Sequence, residues 1–447
     1  MIQSSAASPP FSLLDLGGLQ NFSPLLMTEV EITQPLPGLE PDGIHRWAWV
    51  LARLHGEPVG ACVADVSRRR TPHDLAALLW AELRTPVMAR YSAACWPEPD
   101  GLPERGLACP PGSWPFLADR KEVLAGAQHI SVVICTRNRP EQLKLCLSYI
   151  EKQNYPSFDI VVVDNAPESD SVRALIEDWH GKAACRYVQE PRVGLSWARN
   201  AGVGASSGDL IAFLDDDEEP DEHWLAELAR GFSHGDDVGC VTGMILPARL
   251  DTEAQAWFEL VGGHSKGRGF SPAIFSPDGP QSPLFPLPPF GAGGNMAFRR
   301  GVLEAIDGFD VALGAGTPAR GGEDTLALTL TLLSGYRIAY EPAAFVRHHH
   351  YDSFSGLSRQ LHGYGVGLTA YYSALLRRQP STLVSLLKLL PMAVGYLRRP
   401  ATPTEMPLFT LPAILRKRQR LGMISGPFAY AESVVRQLNP VVPGARK

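Results

Sequence analysis

Between residues 128 and 220 the chain alternates short β-branched runs with stretches of helical period. The run Ile130-Ser131-Val132-Val133-Ile134-Cys135 reads as a buried strand, preceded by His129 and ending in Thr136-Arg137-Asn138-Arg139-Pro140. Pro140 and Glu141 open a helix whose Leu143, Leu147 and Ile150 share one face. Phe158 to Val163 reads as a second strand, capped by Asp164-Asn165, and a helix follows from Ser171 to Trp179. A third strand is expected from Cys185 to Gln189, and a helix starts at Gly194-Leu195-Ser196-Trp197. The fourth apolar run, Leu210-Ile211-Ala212-Phe213-Leu214, drives straight into Asp215-Asp216-Asp217-Glu218-Glu219-Pro220. Strand and helix alternate at a spacing of roughly 30 residues, the signature of βαβ units and a parallel sheet. Ligands of such sheets sit at the carboxyl ends of the strands. Thr136, Asp164 and Asp215 to Asp217 fall at those ends, so three strands deliver polar residues to one rim.

The flanking regions differ in pattern. Residues 1–26 read as loosely ordered. Residues 27–115 read as a small accessory α+β module, with strands at Val30 to Thr33, Trp47 to Leu54 and Pro58 to Val63. Thr71-Pro72-His73-Asp74 caps a helix with Leu75, Leu78, Leu79 and Leu83 on its apolar face, which Pro86 is expected to end or kink. Pro97 to Pro115 is a proline- and glycine-rich linker. This module carries no recognisable chemistry, and its expected role is docking. Residues 128–352 form the expected catalytic domain and 353–447 a helical C-terminal region. There, Leu383 to Leu397 is apolar but broken by Lys388 and Pro391, short of the roughly 20 clean apolar residues of a spanning helix. Arg377, Arg378, Arg398, Arg399, Arg416, Lys417, Arg418 and Arg420 flank it. Such helices lie on an anionic membrane face or pack on the catalytic domain; both readings stay open.

Composition narrows the classes. The 447 residues are 45% hydrophobic with a net charge of −6, enough for large cores and no basis for a nucleic-acid partner. Seven cysteines lie scattered without a C-x-x-C pair, and the N-terminus lacks a basic region followed by an apolar core. A cytoplasmic protein, with peripheral contact to the cytoplasmic membrane face, is the expectation.

The aspartate run carries the chemistry. Packed carboxylates raise one another's pKa, and a divalent cation removes that penalty, since hard oxygen ligands suit Mg²⁺ or Mn²⁺. A solvated acidic turn is the plain alternative. Further on, Phe290-Gly291-Ala292-Gly293-Gly294-Asn295 reads as a glycine loop leading into a short strand and a helix start at Arg299-Arg300. Gly321-Gly322-Glu323-Asp324 precedes the apolar helix Leu326 to Leu333; adjacent acids there serve as caps or as catalytic carboxylates. A strand at Arg337 to Tyr340 is followed by Val346-Arg347-His348-His349-His350, where alternation puts His348 and His350 on one face. Neutral imidazole ligates Mn²⁺ beside carboxylates.

Four elements together resemble the family 2 glycosyltransferases of GT-A fold. They are Cys135-Thr136-Arg137-Asn138-Arg139, Val163-Asp164-Asn165, Gly194-Leu195-Ser196-Trp197-Ala198-Arg199-Asn200 and Phe213-Leu214-Asp215-Asp216-Asp217. The resemblance covers residues 128–352. It implies an α/β GT-A catalytic domain and an inverting, metal-dependent transfer of a sugar from a nucleotide-diphospho sugar to an acceptor hydroxyl. It implies donor contacts from Thr136, Arg137, Arg139, Asp164, Asn165, Gly194, Arg199, Asn200, Asp215 and Asp216. Asp164 would read the base, and Gly293, Gly294 and Asn295 would lie against the donor sugar. Asp217, Asp215 and His348 would hold Mn²⁺ or Mg²⁺, with His350 next in line and Asp216 unassigned between metal and nucleotide. Asp324 would act as general base and Glu323 would bind the acceptor hydroxyl, with the exchanged assignment left open. The alternatives are a catalytically silent sugar-nucleotide scaffold, a nucleotidyltransferase and a glycoside hydrolase. The nucleotidyltransferase would need a glycine-rich phosphate loop after the first strand, which Thr136 to Pro140 lacks.

Overall fold

The computed structural model describes residues 24–108, 114–284, 290–398 and 412–438. The expected loose segment up to residue 23, part of the linker, and Arg399 lie outside them, as do the side chains of residues 390 and 392–398.

The chain enters through a three-stranded sheet of β1 (Leu25–Glu31), β2 (Trp47–Leu54) and β3 (Glu57–Asp65), covered by α1 (Pro72–Ala93). Strand β1 therefore begins at Leu25, inside the stretch expected to be loose, because Leu25 is buried against Leu250. Thr71 caps α1 as expected, accepting the Asp74 N–H while the Asp74 carboxylate returns to Thr71. Pro86 does not end α1. The apolar face continues across it through Leu83, Val87 and Tyr91, all buried, and that burial offsets a proline cost of about 3 kcal/mol. Val50 and Ala52 of β2 pack toward α1, whereas Trp49 and Leu51 pack on Met244, Leu246, Tyr340 and Phe345 of the central domain. The two faces of β2 thus join the N-terminal unit to the rest of the protein.

Helix α2 (Pro115–Ala125) leads into a nine-stranded sheet. Its first half is parallel: β4 (Ile130–Thr136), β5 (Phe158–Asn165), β6 (Cys185–Glu190) and β7 (Leu210–Asp215). Helices α3 (Pro140–Ile150), α4 (Ser171–Glu177) and α5 (Leu195–Ala205) form the crossovers. Next come β8 (Glu218–Pro220), α6 (Trp224–Phe232), β9 (Val238–Pro247), α7 (Glu253–Leu260), β10 (Ala273–Phe275), β11 (Asn295–Arg299), α8 (Arg300–Ala305), α9 (Glu323–Leu333) and β12 (Arg337–His348). The order across the sheet is β10-β12-β9-β11-β7-β4-β5-β6, with β8 paired to β12. Alternation decides the two cores. Val132 and Ile134 of β4 face Leu143, Leu147 and Trp224, while Val133 faces Ala198, Val302 and Leu326.

The strand expected to stop at Tyr340 continues to His348. Its register with β9 breaks between Glu341 and Val346, where Pro342 lacks an N–H for the ladder. The C-terminal region is helical: α10 (Phe354–Arg378), α11 (Leu383–Arg398) and α12 (Ala413–Leu438). Glycines let α10 and α12 touch. A Cβ at Gly365 would stand 2.0 Å from Gln419 O, and one at Gly422 would stand 2.2 Å from His362 O. Among the described residues no helix is long and apolar enough to cross a membrane. The architecture is the expected α/β layout, a central sheet with a parallel half flanked by helices and a helical C-terminal region.

Candidate functional site

Parallel register puts the polar strand ends side by side. Thr136 pairs with Asp164, and Cys135 with Asp215, at the carboxyl rim of β5-β4-β7. After Asp215 the chain turns, and β8 carries Glu218 back beneath it. Strand β12 ends at His348 next to β8, and the N-terminus of α9 brings Glu323 and Asp324.

The three aspartates separate in role. Asp216 turns inward: Thr136 Oγ1 donates to it at 2.7 Å and Arg139 Nη1 at 3.1 Å. Burial, then the Asp217 charge, pushes its pKa up to about 6. Arg139 also reaches Asp217 Oδ2 at 3.1 Å, and Asp217 Oδ1 stands 3.6 Å from His348 Nε2. Asp215 lies 3.6 Å from Arg199 Nη2, and its N–H donates to Glu218 Oε2 at 3.2 Å. Glu218 is 1% exposed, and its Oε1 is buried without a hydrogen-bond partner. Burial raises the carboxyl pKa of both Asp215 and Glu218; the Asp215 and Asp217 charges add to it at Glu218, while Arg199 opposes it at Asp215. Gly294 passes directly over this pair: a Cβ there would sit 2.4 Å from Glu218 Oε1 and 2.9 Å from Asp215 Oδ2. Four consecutive carboxylates thus face two guanidinium groups. Asp217 Oδ1 and the neutral-leaning His348 Nε2, 3.6 Å apart, are an oxygen and an imidazole nitrogen of the kind that suits Mn²⁺ or Mg²⁺. The His348 pKa falls to about 4, chiefly through burial and despite the Asp217 charge.

Arg199 was expected at the nucleotide. It is 2% exposed and is committed to the protein: Nη1 donates to Glu323 Oε1 at 2.8 Å and Nη2 to Gly293 O at 3.0 Å. It therefore links the aspartate rim to α9. Glu323 keeps Oε2 buried and unpartnered; burial, then Asp324, lifts its pKa to about 7 against the pull of Arg199. Asp324 is half-buried and accepts the Gly293 N–H at 2.9 Å and the Thr325 N–H at 2.6 Å.

Three residues expected at the donor, Asn165, Asn200 and Asn295, have their amides hydrogen-bonded within the protein. Asn165 joins Arg192 O to the Gly194 N–H, at 2.6 and 3.0 Å. Asn200 bonds both the O and N–H of Phe309 at 2.9 Å. Asn295, wholly buried, donates to Met244 O and Ala344 O and accepts from Trp224 Nε1. Asp164 differs: Tyr187 donates to Oδ2 at 3.1 Å, but Oδ1 is buried and unpartnered. Burial raises its pKa as well. Arg137 is exposed, 3.8 Å from Glu168.

The structure also adds residues. Glu218 adjoins the triplet, and its position there was the available signal. His264, in a loop after α7, meets His348 and His350 so that the three rings offer nitrogens within 4.8 Å of one another. Nothing in local spacing connects His264 to residues more than eighty positions away. His349 points the other way, to Glu219 Oε1 at 2.6 Å, as strand alternation requires.

Comparison with known proteins agrees with this arrangement. Residues 131–307 match the Glycosyl transferase family 2 profile; that segment holds the aspartate rim and glycine loop and stops before Glu323. The succinoglycan biosynthesis protein ExoM of Rhizobium meliloti is 38% identical over 105 residues, 22% of this chain and 33% of that protein. The glucosyl-dolichyl phosphate glucuronosyltransferase of Haloferax volcanii is 22% identical over 227 residues, 49% of this chain and 68% of that protein. The chain thus spans about a third of the first relative's length. Among solved structures, a mannosyltransferase from Pyrobaculum calidifontis in complex with GDP-Man and Mn²⁺ aligns with a TM-score of 0.43 at 20% identity, over 70% of this chain and 87% of that one. Over the segment that holds the aspartate rim and the glycine loop, the chain is thus similar to the family 2 glycosyltransferases.

Proposed function

We propose that the protein is an inverting, metal-dependent glycosyltransferase that moves a sugar from a nucleotide-diphospho sugar to an acceptor hydroxyl, with Asp324 as general base. The observation that carries this is Arg199, buried between Asp215 and Glu323 and tying the acidic rim to the α9 carboxylates. Donor and acceptor chemistry thereby meet at one buried guanidinium.

In this reading Asp217, Asp215 and His348 would hold the metal, and Asp216, locked by Thr136 and Arg139, orients Asp217. A divalent cation there supplies charge neutralisation for the diphosphate leaving group. The vacant Asp164 Oδ1 accepts an N–H of the donor base, and exposed Arg137 meets phosphate oxygens. Asp324, at the open side of α9, accepts the acceptor hydroxyl's proton as its oxygen attacks the anomeric carbon. Two backbone N–H groups hold the carboxylate in place and leave it lone pairs for that proton. Glu323, oriented by Arg199, offers Oε2 to the acceptor hydroxyl. Inversion rests on the family resemblance. The N-terminal unit serves as an accessory domain, and α11 and α12 provide a peripheral contact with the cytoplasmic membrane face.

The test is a thermal-shift screen of nucleotide-diphospho sugars with Mn²⁺ and with Mg²⁺, followed by sugar transfer from the donor that stabilises most. Donor stabilisation that needs the metal, together with transfer lost in Asp324→Asn, supports the assignment. Stabilisation without any sugar transfer or release would favour the silent scaffold.

A further inference from the structure

Behind Asp217 a line of buried side chains ends at a carboxylate that the proposed reaction does not use. His348 Nε2 faces Asp217 Oδ1 at 3.6 Å, and His348 Nδ1 lies 2.9 Å from His350 Nδ1. His350 Nε2 lies 2.7 Å from Glu259 Oε1. His348, His350 and Glu259 are 8%, 6% and 8% exposed. The histidines lie at and just beyond the end of β12, and Glu259 comes from α7, so two separate elements meet to make the line.

We propose that Glu259 and His350 are positioning residues that fix the tautomer of His348, leaving its Nε2 unprotonated and aimed at the metal position beside Asp217. This rests on the metal-dependent reading above. An ionised carboxylate only accepts, so Glu259 takes the Nε2–H of His350. The relay places a single ring proton on His350, on the Nε2 that faces Glu259, and its Nδ1 is then an acceptor. The close approach of two Nδ1 atoms needs one proton between them, and it comes from His348. The lone pair of His348 is thereby left on Nε2. Were Nε2 protonated, Asp217 would draw it into a charge-assisted hydrogen bond of about 2.7–2.9 Å. At 3.6 Å the pair is not hydrogen-bonded. A bare nitrogen and a carboxylate oxygen at that separation are two lone-pair donors converging on the place of a cation.

The surrounding rings hold the relay in plane. Phe258 packs edge-on against His350 with centroids 4.7 Å apart, and His264 lies 4.5 Å from His348. An ion among the three histidines held through Nδ1 of both His348 and His350 would find those two atoms too close. They stand 2.9 Å apart, closer than ligands of a tetrahedral ion with bonds of about 2.0–2.1 Å. The hydrogen bond accounts for that spacing.

The experiment reads tautomer and metal separately. Full-length protein with isotope-labelled histidine, free of metal, is measured by long-range proton–nitrogen correlation, with His348 assigned through His348→Gln. The expected wild-type spectrum has the His348 proton on Nδ1, and His350→Phe and Glu259→Leu shift it to Nε2 or to a mixture. A wild-type His348 protonated on Nε2, or a tautomer unmoved by both variants, overturns the relay. Titration with Mn²⁺ alone, followed by electron paramagnetic resonance of the free ion, should show affinity about 10- to 100-fold weaker in His350→Phe and Glu259→Leu. Glu259→Gln, whose amide oxygen still accepts the Nε2–H, should retain most of it. Wild-type affinity in both disruptive variants overturns the proposal. The expected tautomer in a wild type that leaves Mn²⁺ free supports the relay and overturns the metal-dependent reading instead.

Discussion

Asp217 and Asp324 sit at the two ends of the proposed reaction, and their variants should fail differently. Asp217→Ala removes a charged ligand beside His348; transfer should vanish together with the Mn²⁺-dependent part of donor stabilisation, and a chelator should do the same to the wild type. Full activity in excess chelator would leave the aspartates as nucleotide-orienting groups only. Asp324→Asn keeps shape and the Gly293 contact side but cannot accept a proton. Donor binding should survive while turnover falls by roughly 10²-fold or more. Unchanged turnover in Asp324→Asn with an inactive Glu323→Gln would exchange the two roles. Glu323 itself gives a pH signature. Its folded pKa, about 7, lies above the ordinary 4.5, so the folded state holds the proton more tightly. Its contribution to stability is therefore full below about pH 4.5 and is lost as pH rises through about 7. Glu323→Gln mimics the protonated form at every pH. It should gain on the wild type by something on the order of 3 kcal/mol between the two limits, read from urea melts at pH values on either side. A stability gap that ignores pH would show that Glu323 is not raised. The residue scale also marks what the sequence conveyed. Asp215 to Asp217, Glu323, Asp324 and His348 were visible as polar residues at the ends of apolar elements. The bracing of Asn165, Asn200 and Asn295 was not, because an amide at a strand or helix end looks the same whether it meets a sugar or a backbone carbonyl.

At the scale of elements, period carried most of the fold. β4, β5 and β7 were legible because each is built on a dense apolar run, and α3 because its leucines recur on one face. Two prolines lie inside regular elements, and only for Pro86 was an end or kink expected. Pro86 stays inside α1 since the apolar face on both sides remains buried, and Pro342 stays inside β12 since it falls where the ladder with β9 is already broken. The pairing of α10 with α12 was also hidden, since helix contact through glycine leaves no apolar stripe to count. That contact makes a prediction. Gly422→Val would place side-chain carbons within 2.2 Å of His362 O, and backbone cannot yield as a flexible side chain can. The variant should lose about 1–3 kcal/mol of stability and expose the α10–α12 seam to proteolysis. The α9 and β12 site residues should still bind donor. A variant as stable and protease-resistant as the wild type would mean that the two helices do not meet at this glycine.

For the whole molecule, the question is what the C-terminal helices face. Leu386 and Leu389 of α11 pack toward the central core, whereas Leu383, Val384 and Leu387 are 48%, 62% and 57% exposed. On α12, Ile414, Leu421, Ile424, Phe428 and Val435 are exposed and recur at a spacing that keeps them on one stripe. Exposed Arg416, Lys417, Arg418 and Arg420 flank that stripe on the same helix. Packing on the domain therefore accounts for one side of α11 and leaves a basic, apolar face outward. A spanning arrangement would bury Lys388 at a cost of about 2.5–3.5 kcal/mol, whereas a helix lying flat lets the lysine reach the headgroups. The expected behaviour is peripheral: flotation with anionic vesicles at low salt, weaker flotation at high salt, and little with neutral vesicles. Ile424→Ser with Phe428→Ser should reduce flotation without touching Asp324 or the aspartate rim, so sugar transfer to a water-soluble acceptor should persist. Recovery in the soluble fraction with every vesicle type would mean that this face meets another surface, and the anionic-lipid assignment would fall.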